Sequence, residues 1–256
     1  MDRNSLTNIK IVLVEPAGAL NVGSIARVMK NMGLSQLVLV NPKCDRHTDE
    51  ARQMAVHATD ILETATIVNS LPEALTGCQR AIATTARSRS LPTKLETPRV
   101  ALSWLLDSHS ALIFGPEDRG LSNSELKYAQ RFVCINSNPV YPSLNLAQAV
   151  AVCAYELYQM ATNCNIDVDI TRATLQERES HNISPTVSHN VPLETLEGYY
   201  QHLETVLLEI GYVYPHTARA RMDKFRRLYN RANLTSEEVA MLRGILRQIQ
   251  WFGKNR

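Results

Sequence analysis

Ile9-Lys10-Ile11-Val12-Leu13-Val14-Glu15-Pro16-Ala17-Gly18-Ala19-Leu20-Asn21-Val22-Gly23-Ser24-Ile25-Ala26-Arg27 decides the fold. Ile9–Val14 is apolar except for Lys10 and reads as a strand buried on both faces. Val22, Ile25, Ala26 and Met29 then recur at helical spacing. A strand that passes through a short loop into a helix is the repeating unit of an α/β domain, and its loop is where such domains bind ligands.

The same alternation continues outward. Leu37–Val40, Ala81–Thr85, Ala111–Phe114 and Phe132–Ile135 read as further strands, each closed by Asn-Pro, a small-residue segment, Gly-Pro or a polar turn. Leu71–Leu75, Arg99–Leu106 and Ser124–Ala129 have helical spacing, and Ser122-Asn123-Ser124-Glu125 offers an N-cap with an acid in the first turn. Leu146–Met160 predicts a long helix, capped by Ser143 with Asn145 in its first turn. The expectation is an α/β domain with a mostly parallel sheet and helices on both faces, over residues 1–162. Residues 163–190 are polar and hydrophobe-poor, as in a linker. Residues 191–256 read as a small helical extension, with helices at Leu193–Ile210, Met222–Tyr229 and from Ser236 through Ile249.

Composition bounds the function. With 256 residues, 45% hydrophobic and 20% charged, the chain can bury a full core and is neither disordered nor membrane-like. Met1–Lys10 lacks an apolar signal region, and Leu144–Met160 is interrupted by Asn145, Gln148 and Glu156, so the expectation is a cytoplasmic protein without a membrane span. Cys44, Cys78, Cys134, Cys153 and Cys164 form no close pair and an odd count, which fits reduced thiols rather than a disulfide framework. No His/Cys/Asp cluster has metal-ligand spacing. The net charge of +2 conceals +7 in residues 216–256 against −5 in the rest, so a polyanion would be met by the extension.

The loops narrow the chemistry. Gly18-x-x-x-x-Gly23-Ser24 resembles a nucleotide P-loop but lacks the lysine that neutralises the β/γ-phosphates, and G-x-G-x-x-G is absent. What remains is Asn21-x-Gly23-x-x-x-Arg27. Leu112-Ile113-Phe114-Gly115-Pro116-Glu117-Asp118-Arg119-Gly120-Leu121 is a strand entering a loop bracketed by glycines, which permit positive φ and a close backbone approach to a ligand. Asn138-Pro139-Val140-Tyr141 is similar to the Asn-Pro-Pro-Tyr loop of amino-methyltransferases, but lacks its middle proline and the accompanying Gly-rich loop.

Three segments taken in order resemble the SPOUT superfamily of methyltransferases, in its TrmH/TrmJ-like branch acting on RNA ribose. They are Val12-Glu15-Pro16 with Asn21-x-Gly23-x-x-x-Arg27, then Phe114-Gly115-x-Glu117-x-x-Gly120-Leu121, then Ser143-Leu144-Asn145-Leu146-Ala147. The resemblance implies a deep trefoil knot in the C-terminal part of the domain and a homodimer whose active sites draw on both subunits. It also implies S-adenosylmethionine as cofactor and Arg27, Ser143 and Asn145 as catalytic residues. The cofactor is expected against Thr84, Thr85, Ala86, Gly115, Pro116, Glu117, Ile135, Pro142, Ser143 and Leu144. RNA is expected at Asn21, Arg87, Arg89, Arg219, Arg221, Lys224, Arg226, Arg227 and Arg231. The basic extension and Ala86-Arg87-Ser88-Arg89 point to the ribose of the first nucleotide of the tRNA anticodon loop. A ribose methyltransferase of rRNA and a non-catalytic RNA-binding protein of the same fold are the alternatives.

Overall fold

A computed structural model describes residues 3–86, 95–174 and 190–254. Seven strands form one sheet: β1 (Ile9–Val14), β2 (Gln36–Val40), β3 (Thr66–Val68), β4 (Arg80–Thr84), β5 (Leu95–Glu96), β6 (Ser110–Phe114) and β7 (Arg131–Val133). Their order is β3-β2-β1-β6-β4-β7-β5. The β1–β2, β1–β6, β2–β3, β4–β7 and β5–β7 pairings are all parallel. The chain leaves β1 for β2 on one side and finds β6 on the other, so the switch point lies at the carboxyl ends of β1 and β6, where open α/β sheets bind ligands.

Helices α1 (Ala19–Asn31), α2 (Asp49–Ala55), α3 (Thr59–Thr64), α4 (Leu71–Ala74), α5 (Pro98–Ala101), α6 (Asn123–Leu126) and α7 (Leu146–Thr174) surround the sheet. Ile9, Ile11, Leu13, Leu37 and Leu39 join one core cluster with residues of α1, α2, α3 and α7. Their alternates Val12, Val14, Val38 and Val40 are equally buried on the opposite face, and α4 lies against β2 and β3. This double burial is why the strands read as unbroken apolar runs.

Several elements depart from expectation. α2 escapes the helical pattern because it buries only Ala51 and Ala55, and α3 because its 6 residues bury only the adjacent pair Ile61 and Leu62. Its start was nevertheless written in the sequence: Thr48 caps it by accepting the Ala51 N–H, ahead of Asp49 and Glu50. β3 buries Val68 alone, as an edge strand does. α7 continues to Thr174, through the first residues of the expected linker; positions 175–189 lie outside the described residues.

Residues 75–80 and the described residues from 190 onward cluster as a second unit. It contains α8 (Leu193–Glu209), α9 (Pro215–Ala232) and α10 (Ser236–Lys254), packed around Tyr199, Tyr200, Leu203, Val206 and Met222. Its short loop segment is fixed to α8: Leu193 N–H donates to the Cys78 carbonyl at 2.8 Å and Gly77 N–H to the Glu194 carboxylate at 3.1 Å. Among the described residues no helix is long and apolar enough to cross a membrane.

Candidate active site

The loops that follow β1, β6, β4 and β7 meet at one end of the sheet, and one carboxylate joins two of them. Glu117 accepts the Ala17 N–H at 3.1 Å, the Gly18 N–H at 3.2 Å and the Asn21 Nδ2 at 2.9 Å. The N-cap of α1 is Gly18, which has no side chain to cap with. An acid 99 residues further along takes its place at the positive end of the helix. Partial burial pushes the Glu117 carboxyl up, but the bonds from Asn21, Ala17 and Gly18 more than offset it, and it titrates below the ordinary carboxylate value.

The chain of contacts continues into the third segment. Asn21 Oδ1 accepts from Asn145 Nδ2 at 3.0 Å, and Asn145 Oδ1 accepts the Ala147 and Gln148 N–H groups. Asn145, not Ser143, is therefore the cap of α7. The helix begins at Leu146, so the expected cap lies too far upstream and its hydroxyl stays exposed. Asn21, expected at the RNA, is engaged within the protein on both ends of its amide, accepting from Asn145 on Oδ1 and donating one Nδ2 hydrogen to Glu117.

Arg119 forms a second bridge. It donates to Glu15 at 3.0 Å and to both oxygens of Glu125, which closes a reciprocal capping box with Ser122 at the start of α6. Glu15 turns the chain off β1 at φ 47°, and its carboxylate meets this guanidinium. Two glycines are required by packing. A Cβ on Gly23 would lie 2.1 Å from the Ala51 carbonyl oxygen, so Gly23 lets α1 press onto α2. One on Gly115 would lie 2.3 Å from the Leu121 nitrogen; the close approach is made by the loop to itself. Gly120 does adopt positive φ, at 64°.

All ten positions expected at the cofactor line one cavity of about 610 Å³. Phe114, Leu121, Val133 and Leu146 add apolar wall, and Arg119 and Tyr141 also line it; the sequence places them in strands, loops and motifs but not at the cofactor. The volume falls in the range of small-molecule sites. Arg27 does not line it; it is exposed on α1 and makes no hydrogen bond or ion pair among the described residues. Asn145 reaches the site through Asn21.

A sequence profile described as the SpoU rRNA methylase family matches residues 8–155. The chain belongs to that family. A second profile, the C-terminal domain of the tRNA methyltransferase TrmJ, matches residues 194–256. A tRNA (cytidine/uridine-2′-O-)-methyltransferase TrmJ of Pectobacterium atrosepticum is 43% identical over 96% of this chain and 98% of its own length. A tRNA (cytidine/uridine/adenosine-2′-O-)-methyltransferase TrmJ of Pseudomonas aeruginosa is 41% identical over 96% and 95%. The crystal structure of TrmJ from Z. mobilis superposes with a TM-score of 0.77 at 30% identity, covering 94% of this chain and 98% of that one.

In this SpoU-family chain the expected RNA contacts divide. Arg87 and Arg89 lie outside the described residues. Arg219, Arg221, Lys224, Arg227 and Arg231 are exposed on α9 and make no ion pair among the described residues. Arg226 is a correction. It is 8% exposed, donates to both Glu197 oxygens and stacks 4.4 Å over the Tyr200 ring, so it belongs to the core of its unit.

Proposed function

We propose that the chain transfers a methyl group from S-adenosylmethionine to the ribose 2′-hydroxyl of the first nucleotide, cytidine or uridine, of a tRNA anticodon loop. One observation carries the reading: the likeness to enzymes named for tRNA 2′-O-methylation runs the length of both chains, including the TrmJ C-terminal domain. That second match favours tRNA over the rRNA in the name of the N-terminal profile.

The residues present fit the cofactor. The cavity has apolar wall for a flat purine, and the ionised Glu117 lines it, which suits a ligand carrying a sulfonium. Bound there, S-adenosylmethionine supplies an electrophilic methyl group, and the chain supplies position, the main lever in an in-line displacement. Arg27 is a permanent cation with donors only, so it grips the substrate phosphate and hydroxyl without taking the proton. The Ser143 hydroxyl is exposed at the cavity edge and can both accept and donate. Asn145 has its oxygen engaged in the cap and one Nδ2 hydrogen directed to Asn21, which leaves the other to orient the ribose oxygen. The same reading carries the knot, a cytoplasmic enzyme and a homodimer. Val152, Tyr155 and Tyr158, exposed on α7, are the face a second copy would cover.

Methyl-labelled cofactor and tRNA transcripts test it. The label should appear as a 2′-O-methyl group on the first anticodon-loop nucleotide, and Arg27→Ala should abolish transfer while cofactor affinity stays. Incorporation into rRNA alone, or no transfer at all, overturns the reading. Full turnover by Arg27→Ala removes that residue from the mechanism.

A further inference from the structure

The loop between β7 and α7 carries, at its tip, the two most exposed large apolar side chains of the described residues, Val140 at 88% and Tyr141 at 80%. Neither projects by default. Asn138 accepts the Val140 N–H on its Oδ1 at 2.9 Å and the Tyr141 N–H on its carbonyl at 3.0 Å. The Ser137 hydroxyl donates to the Pro142 carbonyl at 2.8 Å, and Pro139 and Pro142 fix φ at two positions of the turn. These bonds hold the backbone of the turn with Tyr141 exposed at its tip. Tyr141 lines the cavity, two residues before Ser143 and four before Asn145.

We propose that Tyr141 is a substrate-positioning residue whose ring stacks on the base of the nucleotide that receives the methyl group. The inference rests on the reading of the chain as an RNA ribose methyltransferase and adds to it the contact that holds the base. A ribose presented to Ser143 and Asn145 places its base one glycosidic bond away, at the rim where this ring stands. Every base offers a π face, so stacking holds cytidine and uridine alike, whereas hydrogen bonds to base edges would separate them. The phosphate contacts on α9 give affinity without orienting the acceptor; a rigid ring beside the cavity orients it.

A coupling experiment on the full-length protein decides the matter. Methyl transfer is measured for the wild type, Tyr141→Ala and Tyr141→Phe, on tRNA with a normal acceptor nucleotide and on tRNA whose acceptor ribose lacks its base. Tyr141→Ala should raise KM for normal tRNA about tenfold, with kcat and calorimetric cofactor affinity kept within about twofold, and Tyr141→Phe should restore it. On the abasic acceptor the alanine variant should lose nothing further, because the ring's partner is already gone. An unchanged KM, an equal loss on both RNAs, no rescue by phenylalanine, or a parallel loss of cofactor affinity overturns the proposal. So does a change in oligomeric state on size exclusion, which would seat the ring on a second copy. If the wild type transfers no methyl group to ribose, the underlying reading fails, and this one with it.

Discussion

Glu117 accepts three donors from the start of α1 while lining the cavity, so its charge serves a helix and a ligand site at once. Its folded pKa is depressed, so the stabilisation it gives is present above the unfolded value near 4.5 and disappears as pH falls through the folded value. Cofactor affinity should therefore be flat across neutral pH and drop in acid. Glu117→Gln should bind more weakly at neutral pH and lose the acid drop, as titration calorimetry across pH would record. An acid drop of unchanged size in the variant would assign it to another group. The cysteines enter none of this: burial pushes the Cys153 thiol up to about 12, and Cys44 and Cys134 also shift upward.

Among elements, α1 is fixed by what packs against it more than by its own propensity. Gly23→Ala is a favourable change for an isolated helix. Here it drives a methyl group into the α2 backbone and should cost about 1–3 kcal/mol, read as a lower urea midpoint at unchanged m-value. A stabilised variant would mean that the two helices separate freely. The fold was legible at this scale wherever periodicity is strong: β1 falls at Ile9–Val14 in sequence and structure alike. It was illegible where burial is carried by alanine, as in α2, or by one side, as in β3. Arg226 could have been separated from its basic neighbours by spacing alone. It stands four residues after Met222 and three before Tyr229, on the buried arc of α9, whereas Lys224, Arg227 and Arg231 share the opposite one.

At the scale of the whole molecule, charge and chemistry are divided between distant stretches of sequence. The excess of +7 lies in residues 216–256, while the cavity is built entirely from residues 84–149. Replacing Lys224, Arg227 and Arg231 together by glutamate should weaken tRNA binding and flatten its salt dependence by roughly three released counterions, with cofactor affinity unchanged. Equal losses of both would make the basic face structural. Each segment of the site was visible in the sequence as a strand-end loop. That Glu117, Asn21 and Asn145 meet was not, because the bonds that join them span 96 and 124 residues and no local pattern encodes such a distance.

The adjacency of β1 and β6 also sets a timetable. Ile9 is in register with Ser110, so β1 emerges from the ribosome about a hundred residues before the strand that covers its inner edge. At roughly 5–20 residues per second, that apolar edge stays open for on the order of 5–20 s, paired only on its β2 side. The nascent chain is thus most exposed to misassociation before the loops that follow β6 and β7 exist, and chaperones would be needed in that interval rather than after release. Stalled chains ending near Asp107 should co-sediment with holdase chaperones and chains ending well beyond Met160, with β6 clear of the ribosome, should not; equal capture of both would show that the open edge carries no such risk.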